Sequence, residues 1–307
     1  MSHIYEALQR AESERSGKDA GALPESLMEL LGRAAEAPEQ PTQPPELTAP
    51  AATKDSDIGL LSAAQPLLPT PAASARLVCL TDQGSLAAEK FRVLGLRLRM
   101  LREKKPLRRI VVTSSLPEEG KTLSAANLAL NQSRSRNLKT VLIDGDLRRP
   151  SLATRFGLSR SLPGLSECLR GEKQLSEVLY KLDGTNLWFV PAGLPPENPL
   201  DLMQSGRITD LLNRLGNLFD WVIIDSPPVI PLADTPFWMR LSDGVLLVAR
   251  EGVTEKKPLK RVLEIIDPAI LIGLVVNSCS SSDHKNYYQR YGSSSVSKNN
   301  FPPAEND

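Results

Sequence analysis

The stretch that decides the fold is "RIVVTSSLPEEGKTLSAANLAL", residues 109 to 130. Arg109 to Thr113 is a β-branched run, "SSLPEEG" is a turn-rich loop, and an alanine-rich helical pattern follows from about Thr122 to Ser135. Across them runs Ser115-x-x-x-x-Gly120-Lys121-Thr122, the spacing of a phosphate-binding loop with serine in place of its first glycine. Backbone N–H groups at a helix N-terminus converge on an anion that the helix dipole also favours. Gly120 lets the backbone come close, Lys121 can neutralise β- and γ-phosphates, and the Thr122 hydroxyl can ligate Mg²⁺. The expected nucleotide contact is therefore Ser115 and Glu119 through Leu123. Glu118 and Glu119 would repel a phosphate if turned inward, so their side chains are expected to face solvent. A bare Gly-Lys-Thr also starts ordinary helices; its place between a β-branched strand and an alanine-rich helix favours phosphate.

Outward from this unit, short apolar runs alternate with helical patterns. Strands are expected at Thr140 to Asp144, Leu187 to Pro191, Trp221 to Asp225, Gly244 to Ala249 and Ile272 to Asn277. Helices are expected near Gly164 to Gly171, Pro199 to Gln204, Ile208 to Leu218, Ala233 to Leu241 and Lys256 to Ile266, with one before the loop whose apolar face includes Ala88, Phe91, Leu94, Leu98 and Leu101. Near-continuous apolar strands separated by helices predict an α/β fold, a parallel sheet with helices on both faces. Two of the strands end in carboxylates: "TVLIDGDLRRP" in Asp144 and Asp146, "WVIIDSPP" in Asp225. In an open parallel sheet the C-terminal strand ends form one rim where ligands bind, so these aspartates can converge on phosphates held by the loop. A lone strand-end Asp is more often a cap or turn former. Three of them around a phosphate loop argue for the site.

The ends of the chain differ from this core. Residues 1–35 carry short helical patterns, "SHIYEALQRAE" with Ser2 as N-cap and "PESLMELLGRAAE". Residues 36–76 turn to Pro, Ala, Gln and Thr and lose apolar periodicity, which predicts a disordered linker, ahead of a phosphate-loop domain over 77–282. Lys+Arg of 37 against Asp+Glu of 36 gives no whole-molecule attraction to nucleic acid. The basic stretches Arg102 to Arg109 and Glu255 to Arg261 read as solvated or protein-facing surfaces. Cys79, Cys168 and Cys279 lack metal or disulfide spacing, and His3 and His284 lie in the terminal segments, so histidine catalysis is not expected. No run is long and apolar enough to be read as a membrane span, which predicts a cytoplasmic protein.

The ordered set of motifs resembles the bacterial tyrosine kinase family, soluble autokinases of polysaccharide biosynthesis within the wider group of MinD- and ParA-like P-loop ATPases. "SSLPEEGKT", "VLIDGDLRRP" and "VIIDSPP" resemble its three nucleotide motifs, and "SHIYEALQRAE" a leader of polysaccharide-associated members. The resemblance implies ATP and Mg²⁺ as cofactors. It implies that Lys121 contacts phosphate and acts in catalysis, that Thr122, Asp146 and Asp225 hold the metal, and that Asp144 accepts the tyrosine proton. It also makes Asn277 a candidate adenine contact, with an ordinary strand-ending turn as the equal alternative. It implies a membrane adaptor or chain-length determinant of a polysaccharide export system, which recruits the chain to the inner membrane, and a homo-oligomer. Leu116 stands where MinD- and ParA-like proteins carry an extra lysine. In "EKFRVLGLR", Glu89 and Arg92 match the family's assembly helix, but Gly95 replaces its second arginine. Two other readings remain open, a nucleotide-switch ATPase that modifies no tyrosine and a non-catalytic scaffold whose nucleotide only orders the fold.

The C-terminal segment 283–307 carries "HKNYYQRYG", with three of the chain's five tyrosines: Tyr287, Tyr288 and Tyr291. A tyrosine in a core contributes by burying about 150–250 Å², and this polar tail offers nothing to bury against. By the same resemblance the three are phosphoacceptors. Lys285 and Arg290 beside them are expected to suit an acidic, Mg²⁺-bearing rim.

Overall fold

The computed structural model describes residues 59–279, except 136 and 231. The readings on the N-terminal helices, most of the linker, both histidines and the tail tyrosines lie outside the described residues. Within them eight strands form one sheet: β1 Gln65–Leu67, β2 Arg109–Ser114, β3 Thr140–Asp144, β4 Tyr180–Leu182, β5 Leu187–Val190, β6 Trp221–Asp225, β7 Gly244–Arg250 and β8 Leu271–Asn277. Their order is β1-β4-β5-β3-β6-β2-β7-β8. Every pairing is parallel except β4 with β5.

The helices are α1 Val78–Thr81, α2 Leu86–Arg102, α3 Lys121–Gln132, α4 Leu152–Arg155, α5 Leu165–Arg170, α6 Leu175–Val178, α7 Pro199–Met203, α8 Arg207–Leu218, α9 Asp234–Arg240 and α10 Lys256–Ile265. Alternate strand residues point to opposite faces, so two cores form. Val111, Ile143, Val222 and Ile224 join α8, with Leu211, Leu212 and Leu215, on one face. Ile110, Val112, Leu142 and Ile223 join α3, with Ala125, Leu128 and Ala129, on the other. The fold class expected from the sequence is the one found.

Two strands were not foreseen. β4 ("YKL") and β1 ("QPL") are three residues long, too short to show a period, and pairing rather than propensity makes them strands. β1 lies inside the stretch read as linker. That boundary is corrected: Leu60 and Ala75 are buried, Thr70 N–H donates to the Phe156 carbonyl at 2.8 Å, and the folded unit begins at Leu60.

Gly95 also finds its reason here. A Cβ at that position would lie 2.1 Å from Asn131 Nδ2, and Gln132 Nε2 donates to its carbonyl at 3.2 Å. α2 and α3 touch at this point, so no larger residue fits.

Candidate active site

Parallel register places the site. β2 lies between β6 and β7, and Val112 is opposite Asp225 while Asp225 is opposite Asp144. The carboxylates that end β3 and β6 therefore stand side by side, next to the strand that runs into the loop. Gly120 takes φ +100 as N-cap of α3, a conformation glycine adopts without a Cβ penalty. Lys121 reaches back over the carboxylates: its Nζ is 2.9 Å from Asp146 Oδ2, 3.8 Å from Asp225 Oδ1 and 3.4 Å from Thr122 Oγ1. The structure thus brings Gly120, Lys121, Thr122, Asp144, Asp146 and Asp225 together. A cavity of about 660 Å³ opens on Gly120, Lys121, Thr122 and Asp146, lined also by Pro117, Arg149, Arg155 and Pro228; Asp144 and Asp225 lie buried behind it.

The electrostatics are those of a site with unmet demand. Asp225 is fully buried and neither carboxylate oxygen has a well-formed hydrogen bond. Burial pushes its carboxyl up to about 6, against the opposing pull of Lys121 and the neighbouring Thr122 hydroxyl. Burial and the charge of Asp225 hold Asp144 well above the usual carboxylate range. Burial alone would lower the Lys121 ammonium, but Asp225, Asp146 and Asp144 outweigh it and raise it. Orphaned buried carboxylate oxygens beside a hydroxyl suit a hard cation with oxygen ligands. Among the described residues the acids form no closed all-protein cage. Mg²⁺ needs none, because it keeps waters and takes substrate phosphates as ligands.

The cap and turn roles of strand-end aspartates are also present. Asp144 Oδ2 accepts from Leu152 N at 3.0 Å and so starts α4, while Oδ1 has no partner. Asp146 Oδ1 accepts from Arg149 N at 3.0 Å. One oxygen of each acid shapes the chain and the other faces the site.

The remaining loop residues divide. Ser115 is buried with its hydroxyl unpartnered, and Leu123 is half-buried. Glu118 is exposed as expected, but Glu119 is a correction: it is buried. Its carboxylate accepts from Leu116 N at 3.0 Å and from the Thr254 hydroxyl at 2.7 Å. These bonds occupy both carboxylate oxygens and tie the loop to the turn after β7. Asn277 tightens the same tether, donating from Nδ2 to the Glu119 carbonyl at 3.1 Å; a Cβ on Gly120 would lie 2.0 Å from that nitrogen.

Sequence reasoning missed the arginines. Arg148 grips Asp234 at 2.6 and 3.0 Å, and Arg148, Arg149 and Arg155 line the nucleotide cavity. The expected acidic rim is corrected: Asp146 is buried, and the exposed charged residues that line the cavity are Arg148 and Arg149 as well as Glu118. "LRRP" directly after the second aspartate was the available signal. Trp238 is buried and donates from Nε1 to the Gly145 carbonyl at 3.1 Å, bracing the β3 end against α9.

No family profile matches the chain. It is 30% identical over 212 residues to "Tyrosine-protein kinase CpsD" of Streptococcus pneumoniae, covering 67% of this chain and 92% of that protein. Among solved structures it resembles the chimerical protein CapA2B2, with TM-score 0.64 and 28% identity over 74% of this chain and 99% of that one. The kinase domain of the Escherichia coli tyrosine kinase ETK gives TM-score 0.62 and 27% identity over 66% and 79%. With the phosphate loop, the paired strand-end carboxylates and these relatives in agreement, the chain belongs to the bacterial tyrosine-protein kinase family.

Proposed function

We propose that the chain uses ATP and Mg²⁺ to phosphorylate tyrosines of its own C-terminal cluster, Tyr287, Tyr288 and Tyr291, and so regulates polysaccharide assembly or export. The observation that carries this reading is the buried, unsatisfied Asp225 beside Lys121, Thr122 and Asp146 at the phosphate loop. Thr122, Asp146 and Asp225 would hold Mg²⁺, which when bound neutralises charge on the phosphoryl oxygens. The backbone at Gly120 and the helix N-terminus hold the phosphates, and Lys121 leaves the aspartates to pair with them. The phenol oxygen of the acceptor forms its bond to the γ-phosphorus as the bond from that phosphorus to the bridging β–γ oxygen breaks. ADP leaves and the phenol proton passes to Asp144, whose raised proton affinity suits a base.

Among the described residues no helix is long and apolar enough to cross a membrane. A membrane adaptor of a polysaccharide export system would bring the chain to its place of work, and copies of the chain would present tails to one another. The test is to incubate the purified chain with ATP and Mg²⁺, with and without a candidate adaptor, and to map phosphate by mass spectrometry. Phosphotyrosine at 287, 288 or 291 that disappears with Lys121→Met is the expected result. Nucleotide binding and hydrolysis with no phosphotyrosine, adaptor present, would favour a nucleotide switch instead.

A further inference from the structure

A second cavity, of about 500 Å³, adjoins the first across Arg148 and Arg149. Its floor includes Asp144, whose Oδ1 is buried and unpartnered. Pro191 to Pro195 form one wall, and Arg160 stands on the other side with Thr154 and Ser161. Asp144 is its only acidic lining residue, and it is buried. Arg148 is already neutralised by Asp234. Arg149 and Arg160 are exposed and have no carboxylate partner among the described residues. Arg160 is held by one edge only, its Nε donating to the Thr154 hydroxyl at 2.8 Å.

The proposed acceptor has the wrong charge for such a mouth. Around the tyrosines, from His284 to Asn300, the tail holds Lys285, Arg290 and Lys298 and no Asp or Glu, its acids Asp283, Glu305 and Asp307 lying at the two ends of the segment. Unmodified, it meets Arg149 and Arg160 with like charge. A single phosphotyrosine adds about −2 and three acceptor oxygens, which reverses the local sign and gives the planar guanidinium groups a phosphate that can accept two hydrogen bonds from one fork. Tyr287 and Tyr288 are adjacent, and Tyr291 is three residues on, so one phosphate always lies close to another acceptor.

We infer that Arg149 and Arg160 form a phosphotyrosine-reading rim on the acceptor cavity, so that the first phosphate on the tyrosine cluster promotes binding of the next tyrosine. This rests on the kinase reading above for its purpose, but the rim itself is tested by binding alone. The first phosphorylation is then the slow one, and later ones follow faster.

The experiment uses the full chain with Tyr287, Tyr288 and Tyr291 changed to Phe, with ADP present to fill the phosphate loop. Two fluorescent peptides of residues 283–293 are titrated by anisotropy, one unmodified and one phosphorylated on Tyr288. The phosphopeptide is expected to bind about five- to twentyfold tighter. Arg160→Glu, and separately Arg149→Glu, should bring the ratio toward one; Arg160→Gln should fall between. Equal affinities, no detectable binding of either peptide, or a preference that survives both charge reversals would overturn the inference. Peptide turnover with ATP and Mg²⁺ is read separately. Turnover without phosphopeptide preference sinks the rim and leaves the kinase; preference without turnover of either peptide sinks the kinase reading and leaves the rim.

Discussion

The cavity under the phosphate loop and the cavity beside Asp144 share Arg148 and Arg149 as a common wall, but different parts of the chain build them. The first is formed by the segments that leave strands held in fixed register and by the start of a helix buried almost along its whole length. Its side chains are held from several directions. The second takes its far wall from the loop Pro191 to Pro195 and its mouth from exposed arginines. On the proposed kinase reading, nucleotide handling falls on backbone anchored by the sheet, and acceptor handling on surface that can change with little effect on the sheet. If that contrast is real, substitutions on the two sides must differ in size and in what they disturb.

The largest effect is expected at Lys121. Lys121→Met removes the group that pairs with Asp146 and reaches Asp225. ATP-dependent phosphotyrosine formation should fall by about 10²- to 10³-fold or more, read by quantitative mass spectrometry. Binding of a tail peptide, read by anisotropy, should change little. A parallel loss of both would erase the distinction between the two sides.

Gly120→Ala comes next. The residue must keep φ +100, and its new Cβ would collide with Asn277 Nδ2. Left-handed backbone costs about 1–2 kcal/mol for a residue with a Cβ, and the Asn277 tether must move as well. ATP affinity by calorimetry is expected to weaken by about tenfold or more. Unchanged affinity would mean that the loop closes on phosphate in a different shape.

The same contrast governs what could be read from the sequence. Asp144, Asp146, Asp225 and the loop were legible because a parallel sheet brings strand ends to one rim whatever the loops do. The acceptor side was not, since Arg160 and the Pro191 to Pro195 loop meet Asp144 only in the folded chain. Glu119 misled for a related reason. Charge beside a phosphate loop predicts repulsion, but Thr254 lies 135 positions away and offers the hydroxyl that turns Glu119 aside. β1 and β4 were illegible because three residues cannot display a period, and their strand character comes from their partners.

Asp225 gives a test in stability rather than rate. Its folded value of about 6 lies above the usual 3.8, so the folded state holds this proton more tightly than the unfolded chain does. That contribution is complete below the unfolded value and is lost as pH rises through about 6. The nucleotide-free protein should therefore lose up to about 3 kcal/mol from this group between pH 4 and 7. Asp225→Asn should flatten that part of the profile and raise Tm at pH 7 by a few degrees, measured by calorimetry. A variant less stable than the parent at pH 7 would show that Lys121 already satisfies the carboxylate.

The smallest effect is expected on the acceptor side, at Glu167. Its carboxylate accepts from Gly164 N at 2.7 Å and Leu194 N at 3.0 Å, with Arg170 at 3.1 Å, and so fixes the loop that walls the second cavity. Glu167→Gln keeps the shape but sets an amide donor against one of those donors, at a cost of about 1 kcal/mol. Because no residue from Pro191 to Pro195 lines the first cavity, the KM for a tail peptide should rise about two- to fivefold while ATP affinity stays the same. Equal weakening of both would mean that the wall at Pro191 to Pro195 supports the phosphate loop as well, through the β5 and β3 strand ends, and that the two cavities behave as one.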